Sequence, residues 1–292
     1  MKIAIGTNIF GHYNRQTLAI ESLKKLKEKV KDVNVDIDLF NIQFENNTIN
    51  IDGFTTLNVL KNNNITIRNE IIQASGYSPN CVNCDDIDMS VPLSSKVLPL
   101  MNELFDSLGC LIEYDYVIFT NSDIMISNRL INEILTTKKE SYSVSRLEIQ
   151  SINSLTDALI PFKIEIAGFD TYAFKPAWWQ HNKHRFPKYL LGKPRWDNHY
   201  TSIFMTYSDG KVLNYYPGHI VHIYHGYASH QDDMENRYVN KLWDSYPELQ
   251  NRWGRYFNDI LLKRKSHNNV MFGKINNTED TLAKQIFNIN VT

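Results

Sequence analysis

Asp123 closes the triplet Asn121-Ser122-Asp123, which ends a run of β-branched and aromatic residues, Tyr116 to Thr120. Such a run is the pattern of a buried strand. A carboxylate at the carboxyl end of a strand in an α/β sheet stands where ligands bind. There it is able to hold a hard divalent cation, and the cation neutralises a diphosphate. The plainer role for the triplet is to cap the helix that follows, since Asn, Ser and Asp all favour that position.

Other segments carry chemistry of their own. Gly168 permits close backbone approach, and Asp170 interrupts an otherwise apolar strand. Trp178 and Trp179 present flat faces that suit sugar stacking or core packing equally. Pro194 opens a helix with Trp196 and Asp197 in its first turn, where Asp197 either does chemistry or complements the helix dipole. His219 to Gly226 is the stretch richest in histidine, followed by His230, Asp232 and Asp233. On a strand His222 shares a face with Ile220 and Tyr224, while His219 and His225 share the other. That spacing matches no zincin motif. Lys96 precedes the Asp123 strand and is either a point charge toward phosphate or a solvated lysine. Arg252 to Phe257 and Leu261 to Lys265 mix aromatic and basic residues. They suit an anionic membrane surface or, more simply, a terminal helix packed on the domain.

Positioning these residues falls to an alternating pattern. Lys2 to Gly6 reads as a first strand and Thr7 to Arg15 as a polar loop. Ala19, Leu23, Leu26 and Val30 then recur at helical spacing. Val33 to Phe40 alternates as a half-buried strand, so the chain opens with a parallel pair and a right-handed crossover. A short helix is expected over Ile67 to Ala74, a long loop over Gly76 to Pro92, and a second amphipathic helix over Leu93 to Leu108, with Pro99 in its first turns or bending it. After the Asp123 strand come a helix (Arg129 to Thr136), strands over Tyr142 to Ile149 and Ile164 to Phe174, a helix over Arg195 to Met205, and strands over Lys211 to Tyr224 around Pro217-Gly218. Strands alternate with helices early and cluster later, which predicts a mixed sheet.

Composition removes several function classes. The formal net charge is −1, so no global field favours nucleic acid. Three cysteines (Cys81, Cys84 and Cys110) suit a reducing compartment rather than a disulfide framework. Cys81 and Cys84 have no second pair to complete a zinc site. No apolar run approaches the roughly 18 residues of a membrane span, and Met1 to Gly6 is too short for a signal peptide. The expectation is a cytoplasmic chain, with a peripheral place at the inner face of the membrane as the further option.

The order of elements, together with Tyr114-Asp115-Tyr116-Val117-Ile118-Phe119-Thr120-Asn121-Ser122-Asp123, resembles the GT-A fold of nucleotide-sugar glycosyltransferases over roughly residues 1–225. In that family an Asp-x-Asp motif ends a central strand and holds the metal and the donor diphosphate. Asp123 matches its last position. Asn121 stands at its first, able to hydrogen-bond but bringing no charge. The resemblance implies an α/β fold: a Rossmann-like, mixed, mostly parallel central sheet flanked by helices. It implies a donor site from Thr7, Asn8, Asp38, Lys96, Asn121 and Asp123. Gly168, Asp170, Trp178, Trp179 and Trp196 would line the sugar and acceptor pocket. His222 or His225 would join Asp123 at Mn2+ or Mg2+, and Asp197 would be the general base of an inverting transfer, the favoured stereochemistry. Residues 1–265 would form the transferase domain (donor half about 1–127, acceptor half about 128–265), and 266–292 an appendage. The implied reaction moves a sugar from a nucleotide-diphosphate donor to a hydroxyl of a glycan or lipid-linked glycan, in bacterial surface polysaccharide synthesis. The alternatives are a nucleotidyltransferase of similar fold, a metal-dependent hydrolase built on His219 to Asp233, and a carbohydrate-binding module.

Overall fold

The computed structural model describes residues 1–10, 14–47, 49–75, 96–150, 152–155, 161–163, 168–213, 218–225, 233–256 and 258. The chain opens with β1 (Lys2–Thr7), α1 (Asn14–Lys29), β2 (Asp36–Phe44) and β3 (Thr55–Leu60). Next come α2 (Arg68–Ser75), α3 (Met101–Gly109), β4 (Tyr116–Thr120), β5 (Ile124–Ile126) and α4 (Asn128–Thr137). Then follow β6 (Ser141–Ser145), β7 (Leu147–Ile149), β8 (Pro161–Lys163), β9 (Phe169–Phe174) and α5 (Pro176–Asn182). The described part ends with α6 (Trp196–Tyr207), β10 (Lys211–Leu213), β11 (Ile220–Ile223), α7 (Met234–Asp244) and α8 (Pro247–Tyr256).

Seven strands form the central sheet in the order β10-β6-β9-β4-β1-β2-β3. Only β9 runs against its neighbours β4 and β6; the other pairings are parallel. This is the mixed, mostly parallel α/β sheet expected from the sequence. Its middle strands β1 and β4 are buried on both faces, as strands covered by helices on both sides must be. Ile3, Ile5, Ile37, Leu39, Tyr116 and Ile118 face one core with Leu23 and Leu26 of α1 and Ile131 and Ile134 of α4. Ala4, Phe40, Ile42, Val117 and Phe119 face the other, with α3, α5 and α6. Phe105 of α3 is the hub there, its ring centre 5.0 Å from Phe119, 5.3 Å from Tyr200 and 5.6 Å from Trp179.

The chain steps from β1 to β2 on one side and returns to place β4 on the other. The crevice at the carboxyl ends of β1 and β4 is therefore a topological switch point, where open α/β sheets bind ligands. A second, four-stranded sheet, β5-β11-β7-β8, begins just beyond it.

Several boundaries differ from the sequence reading for physical reasons. The second strand starts at Asp36 rather than Val33, because Val30–Val33 is a 3-10 turn closed by Asn34 in the left-handed region (φ 57°). The third helix starts at Met101 rather than Leu93: Pro99 and Leu100 lie extended and bridge to Asn63 and Leu190. Tyr142 to Ile149 is two strands, one in each sheet. The loop Gly76 to Pro92 with Cys81 and Cys84, His230, Asp232, Leu261 to Lys265 and the appendage 266–292 lie outside the described residues.

Candidate functional site

The small sheet brings Asp123 and the histidines together. Asp123 immediately precedes β5, and β11 pairs with β5 on one side and β7 on the other. In that register His222 lies opposite Ile124 on β5 and Glu148 on β7. His222 Nε2 is 3.4 Å from Asp123 Oδ2, and His225 Nε2 is also 3.4 Å from it. His222 and His225 do not take opposite faces of one strand. β11 ends at Ile223, His225 lies beyond it, and the two rings meet edge to face at 4.9 Å.

One ligand atom from each of Asp123, His222 and His225 lies within 4.8 Å of the others. One carboxylate oxygen and two imidazole nitrogens at that separation fit a divalent metal ion. The nitrogen-rich set suits Mn2+ or Zn2+ better than Mg2+, which prefers oxygen throughout. Burial by itself would raise the Asp123 carboxyl; hydrogen bonds and charge from His222 and His225 outweigh it and hold the group well below the ordinary range. Burial works against a charged His222, but Asp123 and Glu148 raise it to about 9.

Behind this corner runs a buried charged network that the sequence reading missed. Glu148, 1% exposed, accepts from His222 Nδ1 at 2.9 Å and from Arg146 Nε at 2.7 Å. Arg146 also bonds Asp170 Oδ2, and Asp170 Oδ1 accepts from Asn121 Nδ2 at 2.7 Å. Asp170 is thus a held carboxylate rather than an open sugar contact. Gly168, at the entry to β9, accepts from the Arg146 N–H at 3.2 Å. The signals for this network were charged residues inside strand-like runs, Asp170 in β9 and Glu148 between Leu147 and Ile149.

Asp197 sits where expected, in the first turn of α6, after Arg195 in the left-handed region (φ 79°). Burial, then repulsion from Asp170, pushes its carboxyl up to about 7, although the N–H groups of Asn198 and Phe169 and the charge of Arg146 pull the other way. A carboxyl poised there is suited to take a proton at neutral pH.

Thr7 and Asn8 lie at the carboxyl end of β1, on the switch-point crevice. Asn8 Nδ2 donates to Ile42 O at 2.6 Å, and Asn41 Oδ1 accepts from Ile9 N and from Gln43 Nε2. Gln16 Nε2 reaches across to Ser122 Oγ at 2.8 Å. Among the described residues, Thr7 Oγ1, Gln16 Oε1 and Asn121 Oδ1 are buried without a hydrogen-bond partner. Such orphans are costly unless something receives them; Thr7 ends β1, Asn121 follows the neighbouring strand β4, and Gln16 bonds Ser122 beside it.

Other expected site residues lie elsewhere. Asp38 pairs in register with Ala4, near the amino ends of the parallel strands, where it meets Tyr114 and Lys2. That is the opposite edge from Asp123, so Asp38 does not line the crevice. Trp178, Trp179 and Trp196 are 6%, 1% and 5% exposed and pack in the aromatic core. Trp179 Nε1 donates to Asp106 and Trp178 Nε1 to Tyr207 O, which satisfies both rings internally. They form no sugar platform. Lys96 is exposed, its carbonyl held by Asn64 Nδ2. Asp233 caps α7 and pairs with Lys193. Trp253 and Tyr256 of α8 turn inward and Arg252 donates to Met205 O, as a packed terminal helix does. No helix among the described residues is long and apolar enough to cross a membrane.

No family model matches the sequence, and no curated protein matches it at a significant level. Among solved structures, the galactosyltransferase LgtC in complex with donor and acceptor sugar analogues is 11% identical, with 85% of this chain and 100% of that chain covered and a TM-score of 0.32. The glycosyltransferase GlyE of Streptococcus pneumoniae TIGR4 is also 11% identical, with 89% of this chain and 64% of that chain covered and a TM-score of 0.32. This chain thus spans under two thirds of the GlyE chain. Both neighbours are glycosyltransferases, and at this identity and score they add no argument about what this chain does.

Proposed function

We propose that the chain is a metal-dependent glycosyltransferase acting on a nucleotide-diphosphate sugar. The observation that carries this reading is the convergence of Asp123, His222 and His225 at the carboxyl end of a central strand, beside the switch-point crevice. Asp123, His222 and His225 would hold Mn2+, with Mg2+ the poorer fit. When bound, the ion supplies Lewis-acid stabilisation of the charge that develops on the departing diphosphate. Thr7, Gln16 and Asn121, each with an orphaned buried atom, would receive polar groups of the donor. Asp197 would take the proton of the acceptor hydroxyl while that oxygen bonds the anomeric carbon and the bond to the diphosphate breaks. That course inverts configuration.

In this reading residues 1–127 mainly hold the donor and 128–265 complete the metal corner and receive a glycan or lipid-linked glycan. Surface polysaccharide assembly in the bacterial cytoplasm, at the inner face of the membrane, is the setting we infer. The test is a thermal-shift screen of UDP, GDP, CDP and their sugars, each with Mn2+, with Mg2+ and with neither. One nucleotide should raise Tm, more with Mn2+ than with Mg2+, and Asp123→Ala should abolish the increment. The anomeric configuration of the product, read by NMR, then decides between inversion and retention. A chain that responds to no nucleotide under any metal condition is not this enzyme.

A further inference from the structure

Glu148 is a carboxylate buried in the middle of a three-residue strand, flanked by Leu147 and Ile149 of the core. A buried charge persists only where partners and hydrogen bonds compensate it. Both Glu148 oxygens are engaged, Oε2 by His222 Nδ1 at 2.9 Å and Oε1 by Arg146 Nε at 2.7 Å. Arg146 spends its remaining fork on Asp170, and Asp170 holds Asn121, two residues before Asp123. The contacts therefore close a ring. They run from Asp123 through His222, Glu148, Arg146, Asp170 and Asn121, and the backbone returns to Asp123.

We propose that Glu148 and Arg146 are positioning residues for the metal corner; the inference rests on the metal reading given above. An imidazole has two nitrogens, and the hydrogen bond made by one decides which the other presents. Glu148 accepts at Nδ1 and so keeps a proton there, which leaves Nε2, beside Asp123, as the nitrogen that would give up its proton when a metal ion binds. A carboxylate behind a ligating histidine fixes ring orientation and raises ligand basicity, and losing it typically weakens metal affinity about 10–100-fold. Arg146 keeps Glu148 from turning away, because its planar fork engages two carboxylates at once, which a lysine point charge does not do. The neutral side chain introduced by Glu148→Gln would have to offer its amide NH2 either to Arg146 or to His222 Nδ1, and either choice spoils one contact of the ring.

The experiment measures the Mn2+ dissociation constant of the purified chain, with free Mn2+ read by electron paramagnetic resonance, for wild type, Glu148→Gln and Arg146→Lys. Thermal melts of the same samples accompany it. Both variants should bind Mn2+ about 10–100-fold more weakly while still folded. If the ring only stabilises the fold, Tm falls and the affinity of the folded protein stays that of wild type; that result overturns the inference and leaves the metal reading standing. If wild type itself binds no Mn2+, the metal reading fails and this inference with it. Should neither variant fold, 15N NMR of histidine-labelled wild type with diamagnetic Zn2+ decides. Nδ1 of His222 protonated and Nε2 bound to metal supports the assignment, and the reverse arrangement refutes it.

Discussion

Asp197 holds its proton to about pH 7, chiefly because burial disfavours the charge and secondly because Asp170 repels it. A carboxyl free in the unfolded chain titrates near 4. Two consequences follow, with different signs. In the proposed role of base, Asp197 would act only when deprotonated, so kcat/KM should climb through pH 7 and level off above it. Asp197→Asn should remove that limb and lower kcat about 10²–10⁴-fold. For stability, the folded state holds a proton between about pH 4 and 7 that the unfolded state has released. Stability from this group is full below about pH 4 and is lost as pH rises through 7. The amide of the Asp197→Asn variant neither gains nor loses a proton there, so the variant's Tm relative to wild type should increase from pH 5 to pH 8. Parallel Tm curves for the two proteins across that window would refute the raised value, whatever the kinetics show.

At the level of elements, the meeting of α3 and α5 depends on one missing side chain. A Cβ built on Gly109 would lie 2.0 Å from Trp179 Cδ1, inside any permitted contact. Trp179 is not free to retreat: its indole N–H is fixed on Asp106 at 2.9 Å and its ring is wedged against Phe105, Phe174 and Phe186. Gln180 also donates to the Gly109 carbonyl at 2.9 Å. Gly109→Ala should therefore destabilise by about 1–3 kcal/mol, seen as a Tm lower by roughly 2–10 °C. Coupling to Trp179→Leu, which vacates the space, should recover part of that loss; strictly additive effects would contradict the contact. The same pair shows where sequence reasoning stops. Trp178 and Trp179 offer the same composition to a sugar or to a core, and only the position of α3 decides. The long periodic elements (β1, α1, β4) were legible because each carries its own repeat. The three-residue strand β5 was not, because so short a run has no period; β7 was visible only as the end of one strand over Tyr142 to Ile149, and Glu148 acquires its role from a pairing with His222 of β11, 74 residues away. Asp38 was misplaced for a related reason: the strand expected over Val33 to Phe40 runs Asp36–Phe44, so Asp38 falls near its amino end rather than its carboxyl end.

The whole molecule divides its labour between two sheets. The central seven-stranded sheet, with an apolar core on each face, carries the proposed donor site at its carboxyl edge. The small sheet positions the Asp123, His222 and His225 corner proposed to hold a metal, and its strands β5, β7, β8 and β11 run only three or four residues each. Short ladders hold few hydrogen bonds and open at lower free energy than a central sheet does. A ligand that bridges β11 and the residue before β5 adds its binding energy to that weaker unit. For a site filled to 100 times its dissociation constant this amounts to about 2.7 kcal/mol. Amide exchange should therefore respond unevenly to Mn2+. Protection should rise at Ile124–Ile126, Leu147–Ile149 and Ile220–Ile223 and change little at Ile3–Ile5 and Val117–Phe119, whose opening already requires global unfolding. Adding a chelator should reverse the gain without unfolding the chain, because the central sheet does not depend on the ion. Hydrogen exchange followed by mass spectrometry, with Asp123→Ala as the reference that cannot load metal, makes the comparison. An equal gain across both sheets would mean that the two open together, and the small sheet would then be an extension of the central core rather than a separately loaded unit. No gain in wild type would leave Asp123, His222 and His225 as a hydrogen-bonded cluster, and the donor site would have to be built from the orphaned groups of Thr7, Gln16 and Asn121 alone.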